Sequence, residues 1–243
     1  IERWLGDRIE QRRSLNWTGE RVEARRERRL GAIILASGPD PAPDAEAVSA
    51  LLVDKAVERL GTMLPRNLLA RARFAGVSAL SEERLRDAAA VWLSPLLAGR
   101  RDLDISDAKL TDALLGQLDW DARQRLDRLA PREFVSPAGT SHAIDYQGDD
   151  APSVQVRAQA LFGLDRHPLI GPEAGGVPLL LKLTSPAGRP IQATRDLPGF
   201  WRGSWAEVRR EMKGRYPRHR WPEAPWTEAP GLKTKNAFAK SGG

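Results

Sequence analysis

Three prolines within five residues, in the stretch Gly38-Pro39-Asp40-Pro41-Ala42-Pro43-Asp44, constrain this chain more than any other feature. Each proline fixes its own φ and drives the preceding residue out of the helical region, so no helix and no central strand can run through the segment. It reads as a stiff, extended connector and a natural domain boundary. Asp44, at its end, is placed to cap a helix.

The residues before the connector read as strands. Trp17 and the Thr18-Gly19 pair suggest a hairpin turn, residues 21–30 alternate weakly, and Gly31-Ala32-Ile33-Ile34-Leu35-Ala36 is a short apolar run closed by Gly38-Pro39. Length and bounding turn residues favour strands over a helix. Two or three strands do not make a stable unit alone. Residues 1–38 are therefore expected to be the last strands of a β-domain, and a chain opening on Ile1 rather than methionine is expected to be a piece of a longer protein.

Residues 44–130 read as a helical connector of about five helices. The first carries Val48, Leu51, Leu52, Lys55 and Leu60, and the second spans 68–74. The third opens at Ser81-Glu82-Glu83 and continues with Leu85, Ala88, Ala89, Trp92 and Leu96, and two more cover 106–118 and 119–129. The apolar spacing and the acidic first turn at Glu82-Glu83 are both helix signals.

From Pro131 the pattern changes. Residues 134–139 read as a turn, 140–146 as a strand, the surroundings of Val154 and Val156 as a short strand, and 157–162 as a helix stopped by Gly163. Leu179-Leu180-Leu181-Lys182-Leu183-Thr184 is the strongest strand signal, paired with 190–194 through a hairpin loop of residues 185–189. A helix over 201–213 follows, with Gly214 as its stop. Residues 131–226 are thus expected to form an α+β unit with a mainly antiparallel sheet. Residues 227–243 lack a core-forming pattern and are expected to be a flexible tail. The expected fold class is α+β throughout: strands, a helical bundle, then a small sheet with helices.

Composition excludes several chemistries. There is no cysteine, which removes disulfides, thiolate catalysis and cysteine zinc sites and fits a reducing cytoplasm. No run of about 18 apolar residues offers a membrane span. Gly-Lys-Ser/Thr phosphate loops and G-x-S-x-G elbows are both missing. His142, His167 and His219 are far apart, and none has a second ligand three or four residues on, so no metal site is expected. Asp145, Asp149 and Asp150, with Lys182, are the nearest approach to a metal-dependent nuclease set, against which stands the ordinary use of Asp in solvated turns. No catalytic residue is expected in this chain.

The positive charge is clustered. Net charge is +6, and residues 200–220 alone hold seven basic and two acidic groups. At helical spacing Trp201, Trp205, Val208 and Met212 share one face, which reads as a core anchor against the sheet. The opposite face carries Arg202, Arg209, Arg210 and Lys213, continued by Arg215 and Arg218, while Arg189 at the hairpin loop and Arg195 after its strand extend the set. Two readings stay open for these eight: phosphate contacts for a nucleic acid, or a wet surface.

Longer motifs then add what periodicity does not supply. Val177-Pro178-Leu179-Leu180-Leu181, Leu183-Thr184-Ser185-Pro186-Ala187-Gly188-Arg189-Pro190-Ile191-Gln192, Thr194-Arg195-Asp196-Leu197-Pro198-Gly199-Phe200-Trp201 and Lys213-Gly214-Arg215-Tyr216-Pro217-Arg218-His219 with Trp221-Pro222 closely resemble the C-terminal region of HrpB-type bacterial ATP-dependent helicases. Residues 125–131, 137–140, 144–146 and 28–32 fit the same region. The resemblance implies a DEAH-type helicase whose RecA-like motor domains, with their ATP and magnesium, are not in this sequence. Residues 1–38 would be the end of an oligonucleotide-binding-fold-like domain, 44–130 a helical connector, and 131–226 a domain particular to these proteins. The implied partners are RNA or another single-stranded nucleic acid and the motor domains of the same polypeptide, with no membrane and a cytoplasmic setting. The alternative is a protein-interaction module that packs on the motor or another partner without touching RNA. Cofactors are expected in the motor and none in this fragment.

Overall fold

The computed structural model describes residues 8–148, 151–172 and 175–240. It is α+β and forms two compact units: one of residues up to Pro65 together with Ser78–Asp119, the other of Arg66–Val77 together with the residues from Trp120 onward.

In the first unit, β1 (Ile9–Thr18), β2 (Arg21–Leu30) and β3 (Ile33–Pro39) form an antiparallel meander. Both hairpins are tight because Thr18 pairs with Arg21 and Leu30 with Ile33, leaving two-residue loops. Gly19 (φ 63°) and Gly31 (φ 57°) stand in those loops, in a conformation that side chains rarely adopt. Val22 and Ala24 are buried on one face, and Ile33, Ile34 and Leu35 stay exposed.

The proline segment is a corner inside this unit, not a spacer between units. Asp40 is buried, its N–H donates to Ala24 O (2.9 Å), and its carboxylate lies 3.4 Å from Arg13. Asp44 then caps α1 (Ala45–Glu58), accepting from Glu46 N. Helices α2 (Leu60–Met63), α4 (Glu82–Asp87), α5 (Ala89–Leu97) and α6 (Asp107–Leu115) complete the unit, α3 (Arg66–Phe74) belonging to the other. Leu52, Leu60, Leu85, Leu93, Leu97 and Leu114 are its core, each contributing roughly 1.5–3 kcal/mol by burial. The helix expected from Ser81 is two: Ser81 caps α4, and the chain turns at Ala88 before α5.

The second unit takes α3 (Arg66–Phe74) and α7 (Trp120–Leu129) out of sequence order. Arg71 of α3 is buried against α7, donating to Ala130 O and, at 2.5 Å, to Asp127. Asn67 bridges to the sheet, donating to Ile144 O and accepting from Tyr146 N. Packing thus divides the residues expected in one helical connector between two units.

The sheet of this unit has the order β10-β9-β6-β5-β4, built from β4 (Glu133–Val135), β5 (Ser141–Asp145), β6 (Ser153–Arg157), β9 (Leu180–Thr184) and β10 (Pro190–Thr194). Its pairings are antiparallel except β6 with β9, which is parallel. The strand β4 was expected as part of a turn. Residues 158–161, expected in a helix, make one 3-10 turn, with Ala158 to Leu161 all buried. Strands β7 (Leu169–Ile170) and β8 (Val177–Pro178) form a small separate ladder. Of residues 227–243, expected as a flexible tail, 241–243 lie outside the described residues; the rest bond to the unit through Gln159 O and Arg218 O and include a short helix, α10 (Lys235–Ala239), after two helices described next.

Candidate nucleic-acid interface

The β9–β10 hairpin leads into α8 (Leu197–Arg202) and α9 (Trp205–Arg215). Asp196 caps α8 by accepting from Gly199 N at 2.9 Å. A Cβ at Gly199 would sit 2.1 Å from Asp196 Oδ2, so the cap requires glycine there. Gly203 breaks the expected single helix in two, and α9 runs one residue past Gly214.

The tryptophans are core, as their spacing suggests. Trp201, Trp205 and Met212 are buried. Trp205 meets Trp201, Phe162 and Trp221 with ring centroids 5.1, 5.9 and 6.0 Å apart. Each indole N–H is satisfied, Trp201 by Leu164 O, Trp205 by Pro222 O and Trp221 by Tyr216 O, all at 3.0 Å. None of these rings is free to stack on a base.

With the tryptophans turned inward, the cations of α9 face out. Two polar contacts tie the hairpin to both ends of that helix: Ser204 Oγ donates to Gln192 Oε1 (2.9 Å), and Ser185 Oγ lies 3.3 Å from Tyr216 Oη. Ser185 also closes the hairpin turn, accepting from Arg189 N at 3.1 Å. Arg189 is thereby held at a turn fastened to the C-terminal end of α9.

The structure sorts the eight predicted cations. Arg202 pairs with Asp165 (2.6 Å) and lies over the Trp226 ring at 4.9 Å. Arg209 donates to Trp221 O (2.9 Å) and pairs with Glu223 (2.8 Å), and Arg215 pairs with Glu211 (3.3 Å). Arg195 also has a partner. Arg189, Arg210, Lys213 and Arg218 are exposed with no ion pair among the described residues. Lys213 and Arg215 sit in the last turn of α9, where positive charge offsets the negative end of the helix dipole.

His167 serves the framework. His167 Nε2 donates to Leu179 O (2.8 Å), and its Nδ1 accepts from Leu197 N (3.1 Å). Burial holds its pKa below the ordinary histidine value, with Leu179 O and Asp196 opposing. His142 and His219 are also pushed down by burial. Among the described residues, no three His, Asp or Glu side chains come together as a metal-holding group. Asp145 accepts from Gln147 N in a local turn, and Asp149 and Asp150 lie outside the described residues. Sequence reasoning missed Arg166, an exposed cation lining a groove; a lone arginine between Asp165 and His167 carries no pattern to find it by.

Residues 92–225 match the family described as "ATP-dependent helicase C-terminal", and the chain belongs to it. It is 44% identical over 142 residues to the ATP-dependent RNA helicase HrpB of Escherichia coli K12, which covers 58% of this chain and 17% of that protein. Its fold is similar to the crystal structure of the E. coli DExH-box NTPase HrpB, with TM-score 0.65 and 32% identity, covering 94% of this chain and 30% of the other. A second structure, of the E. coli DEAH/RHA helicase HrpB, matches at TM-score 0.55 and 30% identity over 88% of this chain and 29% of that one. The chain therefore spans less than a third of the length of these relatives. Among the described residues, no helix is long and apolar enough to cross a membrane.

Proposed function

We propose that this chain is the accessory C-terminal region of a cytoplasmic ATP-dependent RNA helicase, and that it holds the backbone of single-stranded RNA on the outer face of α9. ATP and magnesium act in motor domains of the same polypeptide, and this region contributes grip and regulation. One observation carries the reading. Arg210 and Lys213 on α9, Arg189 in the turn bonded to its end, and Arg218 just beyond it are exposed cations left without acidic partners among the described residues. Guanidinium groups suit phosphate through planar, bidentate contacts. With the tryptophans buried, the grip works on phosphate and is indifferent to sequence.

The test is fluorescence anisotropy with a dye-labelled oligouridylate across a salt series. Micromolar binding at low salt is expected. In the triple variant Arg210→Ala, Lys213→Ala, Arg218→Ala the slope of log affinity against log salt should fall by about 2, because each phosphate neutralised on a single strand contributes about 0.7. An unchanged slope would refute the assignment. No binding at low salt would favour the alternative, a module that acts by packing on the motor, and that module would alter the motor's ATPase when added in trans.

A further inference from the structure

The five-stranded sheet ends on β4, and among the described residues no strand pairs with its outer edge. Ile144 N–H donates to Arg132 O (3.0 Å) and Ser136 N–H donates to Thr140 O (2.9 Å). Residues on an antiparallel strand alternate between facing the partner and facing away. Positions 132, 134 and 136 therefore face β5, and Glu133 and Val135 turn their N–H and C=O groups outward. The opposite edge of the sheet is blunted. There β10 opens on Pro190 and shifts register between Pro190 and Gln192, two devices that discourage strand addition. The register of β4 with β5 is regular, and β4 contains no proline.

A groove of about 530 Å³ runs along this open edge, lined by Phe134 to Pro137 on one side and by Leu164 to Leu169, apart from Asp165, on the other. Successive strand side chains point to opposite faces. Consecutive residues can wall one groove only if the strand's edge, rather than one of its faces, forms the wall. Val135 is 63% exposed and Leu169 58% exposed, so both carry apolar surface that no described residue of this unit covers. The far wall is fixed, because both ring nitrogens of His167 are bonded to backbone. Arg166 supplies the only charge in the lining among the described residues, and it has no ion pair among them.

We propose that this groove binds an extended, acidic-apolar peptide segment of a partner protein, which adds a sixth strand to the sheet at β4. The outward main-chain groups of Glu133 and Val135 pair with the peptide backbone, the exposed apolar surfaces of Val135 and Leu169 receive alternate side chains, and Arg166 receives a carboxylate. This is strand addition, in which the main chain supplies affinity and the pockets supply selectivity. Charge disfavours a nucleic acid, which would find a single cation in the lining among the described residues. A second copy of the chain would enter with its own β4, which carries Glu133, and the test separates that occupant from a partner's peptide.

The probe is a fluorescein-labelled, end-blocked hexapeptide of alternating valine and threonine with one terminal aspartate, with anisotropy as the readout. Binding in the tens of micromolar is expected. N-methylation of alternate peptide nitrogens should weaken it at least about tenfold in the phase that faces β4 and little in the other phase. Leu169→Asp should cost about tenfold and Arg166→Glu about fivefold, with unchanged melting temperatures because both residues are exposed. The proposal is overturned by no binding at millimolar peptide, by equal effects of the two methylation phases, or by indifference to Leu169→Asp. A concentration-dependent dimer lost in Leu169→Asp, or RNA binding lost in Arg166→Glu with peptide binding absent, would overturn it in favour of a second copy or of RNA.

Discussion

The guanidinium of Arg220 lies 3.7 Å from the centroid of the Phe238 ring, while its nitrogens donate to Glu228 (2.5 Å) and Ala229 O (2.8 Å). One arginine thus fastens the last segment of the chain, with Phe162 on the core side 6.0 Å away. Lysine has no planar fork and cannot stack and bond in this way. Arg220→Lys should therefore cost about 1–2 kcal/mol and release residues 228–240. Limited trypsin digestion would show it as faster cleavage at Lys233 and Lys235; unchanged cleavage would mean that the segment is held by other contacts.

Acid should weaken the second unit through His167. Its Nδ1 accepts from Leu197 N, so that nitrogen must be unprotonated, and burial lowers the ring pKa from its ordinary 6.5. Between the folded value and 6.5 the unfolded chain binds more protons than the folded one. The contribution is present in full above about 6.5 and is lost as pH falls through the folded pKa. His142 and His219 shift the same way and add to it. Urea midpoints at pH 7.5 and pH 5 should fall with acid, and His167→Gln should narrow the gap. An equal gap in the variant would remove His167 from the account.

Truncating the tryptophan core should be costly. Trp205 is essentially buried, touches Phe162, Phe200, Trp201 and Trp221, and donates to Pro222 O. Trp205→Ala leaves a large cavity and an unpaired carbonyl, for about 3–5 kcal/mol. A loss below about 1 kcal/mol in chemical denaturation would show that the cluster collapses readily around the gap.

Arginines that look alike in sequence should separate by experiment. Arg209→Ala removes a bond to Trp221 O and an ion pair with Glu223, so it should lower stability by about 1 kcal/mol and leave most of the RNA salt slope. Arg210→Ala, with no such partners, should do the reverse. Anisotropy and melting on both variants decide the matter; the same pattern in each would erase the distinction.

Local signals were legible wherever the physics is local. Asp44 caps α1 as its position suggests, the Gly19 turn closes a two-residue hairpin, and the β9–β10 pair stands where the apolar run and the glycine-containing loop place it. The apolar period through Trp201, Trp205 and Met212 identified a buried face even though Gly203 splits the helix. The three-residue strand β4 was not legible, since its pairing with β5 is supplied by residues 141–143 and no alternation of its own marks it.

The sequence by itself determined the fold class, the helix caps and hairpin turns, and the concentration of positive charge after residue 200, because each depends on residues a few positions apart. Tertiary structure decided the rest. It turned the proline segment into a corner through Asp40 and Ala24, and it moved α3 and α7 into the second unit through Arg71 and Asp127. It also separated the tied arginines from the open ones, since Asp165 reaches Arg202 across 37 positions and Glu223 reaches Arg209 across 14. A carboxylate that far along the chain neutralises a cation only after the backbone has folded it into range, and no local pattern records that it will.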